Sequence, residues 1–198
     1  MNYLGHAYFS YNHPEILVGN MISDFVKGKK KFDYPPVIQR GIQLHREIDE
    51  FTDTHEATRQ AKEIFRPHYR LYAAAFVDVV YDYFIANDEQ LFNENSLLEF
   101  TQHTYQQLEE KQNWFPEKFA RMFPYMKSQN WLFNYRQPWG IEKSFGGLVR
   151  RASYISESET AFGLFETHIE TFQKCYDLFE KDIKKFTETR FKALLENK

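Results

Sequence analysis

His45 and Asp49 stand four residues apart in GIQLHREIDEFTD (41–53), a stretch whose apolar residues recur at helical spacing. On a wheel of about 100° per residue, Leu44, Ile48 and Phe51 mark one apolar flank and Ile38 and Ile42 the other. Gln39, Arg40, Gln43, Arg46, Glu47 and Glu50 fill the opposite, wet arc. His45 and Asp49 fall in line with Ile38 and Ile42, facing the core, with Asp53 at the edge of that arc. Polar groups that turn inward when a wet face is available set pattern against chemistry, and such conflicts concentrate at functional sites.

Residues 70–88 repeat the pattern. Phe76, Val77, Val79, Val80, Tyr81, Phe84 and Ile85, with Ala73, Ala74 and Ala75, make the segment apolar nearly all round, as expected of a buried central helix. Asp78 and Asp82 lie one turn apart on the stripe shared by Leu71, Ala75 and Ile85. An ionised carboxylate in such surroundings costs several kcal/mol unless it is paired or bound to a cation, and two neighbouring ones repel. One histidine and four aspartates on two helices suit a borderline-hard divalent ion, Mn²⁺, Mg²⁺, Fe²⁺ or Zn²⁺. Inward acids can equally pair with arginine or cap other helices. Against that, the basic residues of 36–54 and 59–70 fall mostly on wet faces. Asn20 and Asp24 form a third i,i+4 polar pair, but Val18, Met21, Ile22, Phe25 and Val26 lie opposite them, so the wheel reads them as a solvated face. His6 precedes the first expected helix, where periodicity assigns no direction.

The elements that must position these residues are helices. Pro14 opens a segment over 14–27, closed by Gly28, and Pro35-Pro36 opens a second that runs to Thr54. Further helices are expected over 55–65 (ending before Pro67), 70–87, 94–112, 116–130, 141–155 and 159–196, with 131–140 as an aromatic turn region. No stretch combines β-branched alternation with a hairpin dipeptide. The chain of 198 residues carries 25 Lys+Arg against 28 Asp+Glu, a net charge of −3, which argues against a general nucleic-acid binder. The lone Cys175 excludes an intramolecular disulfide framework and cysteine-based zinc knuckles. No apolar run approaches the roughly 18 residues of a membrane span, and the first residues lack the pattern of a signal peptide. The expectation is a cytoplasmic, all-α, single-domain helical bundle over 1–198.

Several stretches together resemble the acyl carrier protein phosphodiesterases, an all-helical family related to HD-type metal phosphohydrolases. They are MNYLGHAYFS (1–10), GNMISDFVKGK (19–29), GIQLHREIDEFTD (41–53), FVDVVYDYF (76–84), WLFNYR (131–136) and GLVRRAS (147–153), in family order and at family-like spacing. The resemblance implies a divergent HD-like bundle that hydrolyses the phosphodiester between phosphopantetheine and a serine of holo-acyl carrier protein, within fatty acid and lipid metabolism. Mn²⁺ is the implied activator. Asp24, His45, Asp49, Asp78 and Asp82 become the implied catalytic and metal residues, with Asn20 and Asp53 next; Asp24 is thereby moved off the solvated face. Two positions depart from the pattern. His45 is followed by Arg46 instead of the Asp of an HD dipeptide, and Tyr83 follows Asp82 where the family often has His.

Phosphoryl charge calls for cations. Lys27, Arg46, Arg150 and Arg151 are the substrate-binding candidates, and Lys27, Lys29, Lys30 and Lys31 form a basic run that could receive an acidic carrier protein or a nucleotide phosphate. Two other functions fit the same residues: a metal phosphohydrolase acting on a nucleotide or other small phosphoester, and a non-enzymatic helical binding protein whose inward acids form structural ion pairs.

Overall fold

The computed structural model describes residues 1–196, and among them every regular element is helical. Eleven α-helices follow in order: α1 (Tyr3–Tyr8), α2 (Pro14–Ile22), α3 (Pro36–Thr54), α4 (Glu56–Tyr69), α5 (Ala73–Asn87), α6 (Glu94–Glu110), α7 (Glu117–Ser128), α8 (Trp131–Asn134), α9 (Pro138–Arg151), α10 (Glu159–Thr167) and α11 (Ile169–Glu196). Prolines start α2, α3 and α9, where a missing N–H costs nothing. Asn93 and Ser96 close a reciprocal capping box on α6.

As its all-round apolar sequence demands, α5 runs through the middle of a single domain. Phe76, Val77, Val79, Val80 and Tyr81 are fully buried. Aromatic rings fill the space around it: Phe76 meets Phe145 of α9 edge-on at 4.9 Å, Phe65 of α4 stacks on Phe172 of α11 at 5.2 Å, and Tyr81 stacks on Phe179 at 4.6 Å. The long α11 crosses α3 and α4, fixed by the Phe51–Phe186 stack at 4.5 Å and by an Arg190 fork on Glu47 at 2.7 and 2.9 Å.

The contact that matters most for function is between α2 and α3. Gly19 and Gly41 face each other there, and the backbones touch. A Cβ on Gly19 would lie 2.1 Å from the Ile38 carbonyl oxygen, and one on Gly41 would lie 2.3 Å from that of Ile16. No other residue permits this approach.

Several elements depart from expectation. Residues 3–8 form a helix too short for periodicity to show. The first long helix stops at Ile22 and continues as a 3-10 turn, Ser23–Phe25, which carries Asp24. Helix α4 continues through Pro67 to Tyr69, because a proline in the last turn loses a single hydrogen bond. Leu71, expected on the buried stripe of α5, is 95% exposed: α5 begins only at Ala73, and Arg70 before it has φ of +46°. Residues 131–134 are helical, α9 begins at Pro138, and the last segment breaks at His168 into α10 and α11.

Candidate metal centre

His45 and Asp49 project from successive turns of α3 toward α1 and α2. The His45 ring is buried, and its Nδ1 lies 2.7 Å from the Asn20 carbonyl oxygen in the last turn of α2, where helix carbonyls lack intrahelical partners. A carbonyl only accepts, so Nδ1 carries a proton and Nε2 is the ring atom turned to the carboxylates, free to ligate a metal once its own proton is displaced. That Nε2 sits 3.1 Å from Asp49 Oδ2 and 3.3 Å from Asp24 Oδ1. The glycine-mediated approach of α2 to α3 is what brings the carbonyl within reach.

His6, on α1, supplies a second imidazole. Its ring stacks on His45 with centroids 3.9 Å apart, and its Nε2 is 3.2 Å from Asp49 Oδ1 and 3.1 Å from the Met1 carbonyl oxygen. Asn20 ties the two histidines together: its main-chain oxygen accepts from His45, while its side-chain Nδ2 donates to the His6 carbonyl at 2.9 Å and to Ser10 Oγ at 3.1 Å. Within the described residues, His6, His45 and Asp49 offer ligand atoms all within 4.8 Å of one another. His6 Nδ1 is a buried polar atom without a hydrogen-bond partner, and His45 Nε2 meets only the Asp24 and Asp49 carboxylates. Two imidazoles and a carboxylate this close together are a donor set suited to a divalent metal.

The other acids separate into distinct roles. Asp24 is exposed and reaches the cluster through His45. Asp78, from α5, accepts from the Met1 α-ammonium at 2.7 Å, and the same ammonium lies 3.5 Å from Asp49. Asp82 is fully buried yet stands apart from the histidines. Its Oδ1 accepts from the Asn2 and Gly5 N–H groups at 3.2 and 3.1 Å, and its Oδ2 from Leu4 N–H at 2.7 Å. With both oxygens used in this way, it anchors the start of α1, one turn beyond Asp78 on α5 and outside the His6–His45–Asp49 group. Asp53 is exposed at the far end of α3, with Lys62 Nζ 3.4 Å from its carboxylate. Tyr83 packs edge-on against Phe165 of α10 at 5.1 Å.

The crowding of charge shifts these groups. Burial disfavours a charged His45, but hydrogen bonds to Asp24 and Asp49 outweigh it and raise its pKa to about 9. Burial and then the neighbouring His45 charge push His6 down to about 4. The hydrogen bond from His45 holds Asp24 below the usual carboxylate range. Burial would raise Asp49, but the Met1 ammonium and both histidines hold it well down. Asp78 is raised by burial despite the ammonium. Burial likewise lifts Asp82 to about 7, against the pull of that ammonium and of the three N–H groups.

His45, Asp49 and Asp24 open onto a cavity of about 340 Å³ whose other lining residues include Lys27 and Arg46. Arg46 Nη2 donates to the Val26 carbonyl at 3.0 Å, which holds the guanidinium at the rim. Lys29, Lys30 and Lys31 continue outward from Lys27 and are exposed or nearly so. Arg150 and Arg151 are exposed at the end of α9 and do not line this cavity. The sequence pattern alone missed His6; the one trace of it was its place in the MNYLGHAYFS stretch.

Fold and site together define an all-α protein with a His–His–Asp centre that suits a divalent metal. The acyl carrier protein phosphodiesterase family model matches residues 1–183. The protein of that name from Photorhabdus laumondii is 32% identical over 177 residues, 89% of each chain. That from Yersinia pestis is 31% identical over 180 residues, 90% of this chain and 92% of the relative. That from Klebsiella pneumoniae is 29% identical over 191 residues, 96% and 99%. No solved structure matches. The chain belongs to the acyl carrier protein phosphodiesterase family, whose name denotes a hydrolase of phosphoric diesters. None of its described helices is long and apolar enough to cross a membrane.

Proposed function

We propose that this chain, as one domain over 1–198, hydrolyses the phosphodiester that joins phosphopantetheine to the serine of holo-acyl carrier protein, releasing apo-protein. The observation that carries this reading is the opening of the His45–Asp49–Asp24 cluster onto a cavity whose rim holds Lys27 and Arg46. We assign His6, His45 and Asp49 as the metal ligands, with Asp24 and Asp78 beside them, and Mn²⁺ as the ion because the family resemblance implies it; Mg²⁺, Fe²⁺ and Zn²⁺ are the alternatives. When bound there, such an ion supplies a Lewis acid and a water of lowered pKa. Asp24, exposed to the cavity, accepts the proton of the attacking water. Lys27 and Arg46 neutralise the phosphoryl oxygens. Water adds to phosphorus as its proton passes to Asp24, the bond from phosphorus to serine Oγ breaks, and the serine oxygen takes up a proton from solvent. Asn20 acts through the histidines and is a positioning residue. We read the bundle as a divergent HD-type arrangement, with Asp49 one turn beyond His45 taking the part of the adjacent acid. A cytoplasmic location goes with this substrate.

The test is incubation of the protein with holo-acyl carrier protein and Mn²⁺, followed by intact-mass spectrometry. The expected result is loss of the phosphopantetheine mass, abolished by EDTA and by His45→Ala. Retention of that mass by holo-protein, with Mn²⁺ shown to be bound, would overturn the substrate and turn the search to nucleotides and other small phosphoesters. Retention with no metal bound would overturn the enzyme reading in favour of a structural ion-pair cluster.

A further inference from the structure

Twenty phenylalanines stand in the sequence, and among the described residues Phe32 is the one that is exposed, at 63%. It lies on the 3-10 segment Gly28–Asp33, five residues beyond Lys27 on the rim of the metal cavity. A phenylalanine gains free energy by leaving water, so one held on the surface by an ordered frame calls for a partner. The frame is ordered. At its near end Arg46 Nη2 donates to the Val26 carbonyl at 3.0 Å, and at its far end Gln39 Nε2 donates to the Tyr34 carbonyl at 2.7 Å. Between them the Lys30 N–H reaches the Lys27 carbonyl at 3.2 Å, and Gly28 makes the turn at φ +56°, where a side chain would be strained. Trp114, itself 39% exposed, braces Tyr34 with ring centroids 6.4 Å apart. Pinned at both ends, the segment presents Phe32 outward instead of folding it onto the core.

The charge around the ring has one sign. Residues 27–33 carry four lysines against the single acid Asp33, and Lys31 Nζ lies 5.1 Å from the Phe32 centroid. Lys29, Lys30 and Lys31 form no ion pair among the described residues. Lys27 and Gly28 line the cavity together with His45, Asp49 and Asp24, so the segment continues the mouth of the centre itself. A small phosphoester is met inside that cavity by Lys27 and Arg46 and makes no use of a ring about 10 Å farther out, at about 2 Å per residue of a 3-10 turn. A protein substrate does. We propose, resting on the carrier-protein reading above, that Phe32 is the apolar anchor on which the carrier protein docks. Its ring enters an apolar depression on an acidic helical surface, and Lys29, Lys30 and Lys31 meet the carboxylates around that depression. One buried aromatic ringed by complementary charge is the arrangement that concentrates binding energy in protein interfaces. The reach agrees: with the serine phosphodiester at the centre, a carrier-protein helix leaving that serine covers about 10 Å in its first seven residues. Lysines alone attract any polyanion, and the ring is what selects a protein.

The experiment compares the parent with Phe32→Ala and Phe32→Trp in the full chain. It measures Kd for apo-acyl carrier protein, KM and kcat for the holo-protein, and Mn²⁺ affinity by calorimetry. Phe32 is too exposed for its truncation to unfold the chain, and a thermal melt of each variant checks this. In Phe32→Ala, Kd for apo-carrier protein and KM for holo-protein should both rise about tenfold, with kcat and Mn²⁺ affinity at parental values. Phe32→Trp should restore both constants to within a few-fold of the parent. Parental Kd and KM in Phe32→Ala would overturn the proposal. So would a fall in kcat or in Mn²⁺ affinity with Kd unchanged, since the ring would then act on the centre and not on the partner. If the parent neither cleaves holo-protein nor binds apo-carrier protein, the substrate reading falls and this proposal with it; if the parent does both and Phe32→Ala is indifferent, this proposal falls alone.

Discussion

Replacing Gly41 by alanine tests the link between helix packing and metal binding. The added methyl would sit 2.3 Å from the Ile16 carbonyl oxygen and 2.9 Å from Gly19 Cα, where Cβ contacts under 3.0 Å are essentially never found. The helices must therefore part by about 0.7 Å or more, a strain of the kind that costs about 1–3 kcal/mol. The same movement stretches the bond from His45 Nδ1 to Asn20 from 2.7 Å to about 3.4 Å, beyond useful hydrogen-bond length. A ligating imidazole that loses its orienting partner typically forfeits about 10–100-fold in metal affinity. Denaturant unfolding should show the lower stability, and calorimetric titration with Mn²⁺ at fixed pH should show the weaker binding. A folded Gly41→Ala protein that is destabilised but binds Mn²⁺ with parental affinity would refute the coupling. Parental values of both would refute the close approach itself.

Three further outcomes are expected. Mn²⁺ affinity should rise about tenfold per pH unit up to about pH 9, because the metal must displace the proton that His45 retains below its raised pKa; titrations at pH 6, 7 and 8 check the slope. Asp82→Asn should cost about 1–3 kcal/mol in chemical denaturation, since its amide NH₂ cannot accept the N–H groups that both carboxylate oxygens now serve. It should also weaken Mn²⁺ binding through His6, whose helix Asp82 anchors. Replacing Lys29, Lys30 and Lys31 by glutamate should lower kcat/KM for holo-protein by an order of magnitude or more at low salt and remove its decline with ionic strength, leaving Mn²⁺ affinity unchanged.

The helical pattern made α3 readable because its two faces differ sharply, and it placed His45 and Asp49 inward, as found. It also turned Asp82 inward correctly. A wheel gives direction and not partner, however, and the partner is the backbone of a segment nearly eighty residues earlier. Asn20 was misread on the wheel: α1 and α3 cover its face of α2, so it is fully buried, whereas Asp24 is exposed, as the solvated-face reading had it. Leu71 was misread because the chain is not yet α-helical there. His6 lay beyond periodicity altogether. A helix of six residues spans less than two turns, and four of the six are buried, leaving no contrast between faces.

That short helix bears on how fast a bound ion could leave. Six residues form no stable helix in isolation, so α1 holds its shape through tertiary contacts, chief among them the Asp82 carboxylate. Local opening of this segment breaks its bonds to Asp78, Asp82 and Asn20 and uncovers Leu4 and Ala7, yet leaves α3 and α5 helical, and it carries His6 away with it. Dissociation of metal is then governed by the breathing of one chain segment, leaving His45 and Asp49 in position on α3. Amide exchange of Leu4 and Gly5, whose N–H groups Asp82 holds, would report that opening directly, and it should slow in proportion to Mn²⁺ occupancy while exchange in α5 does not change.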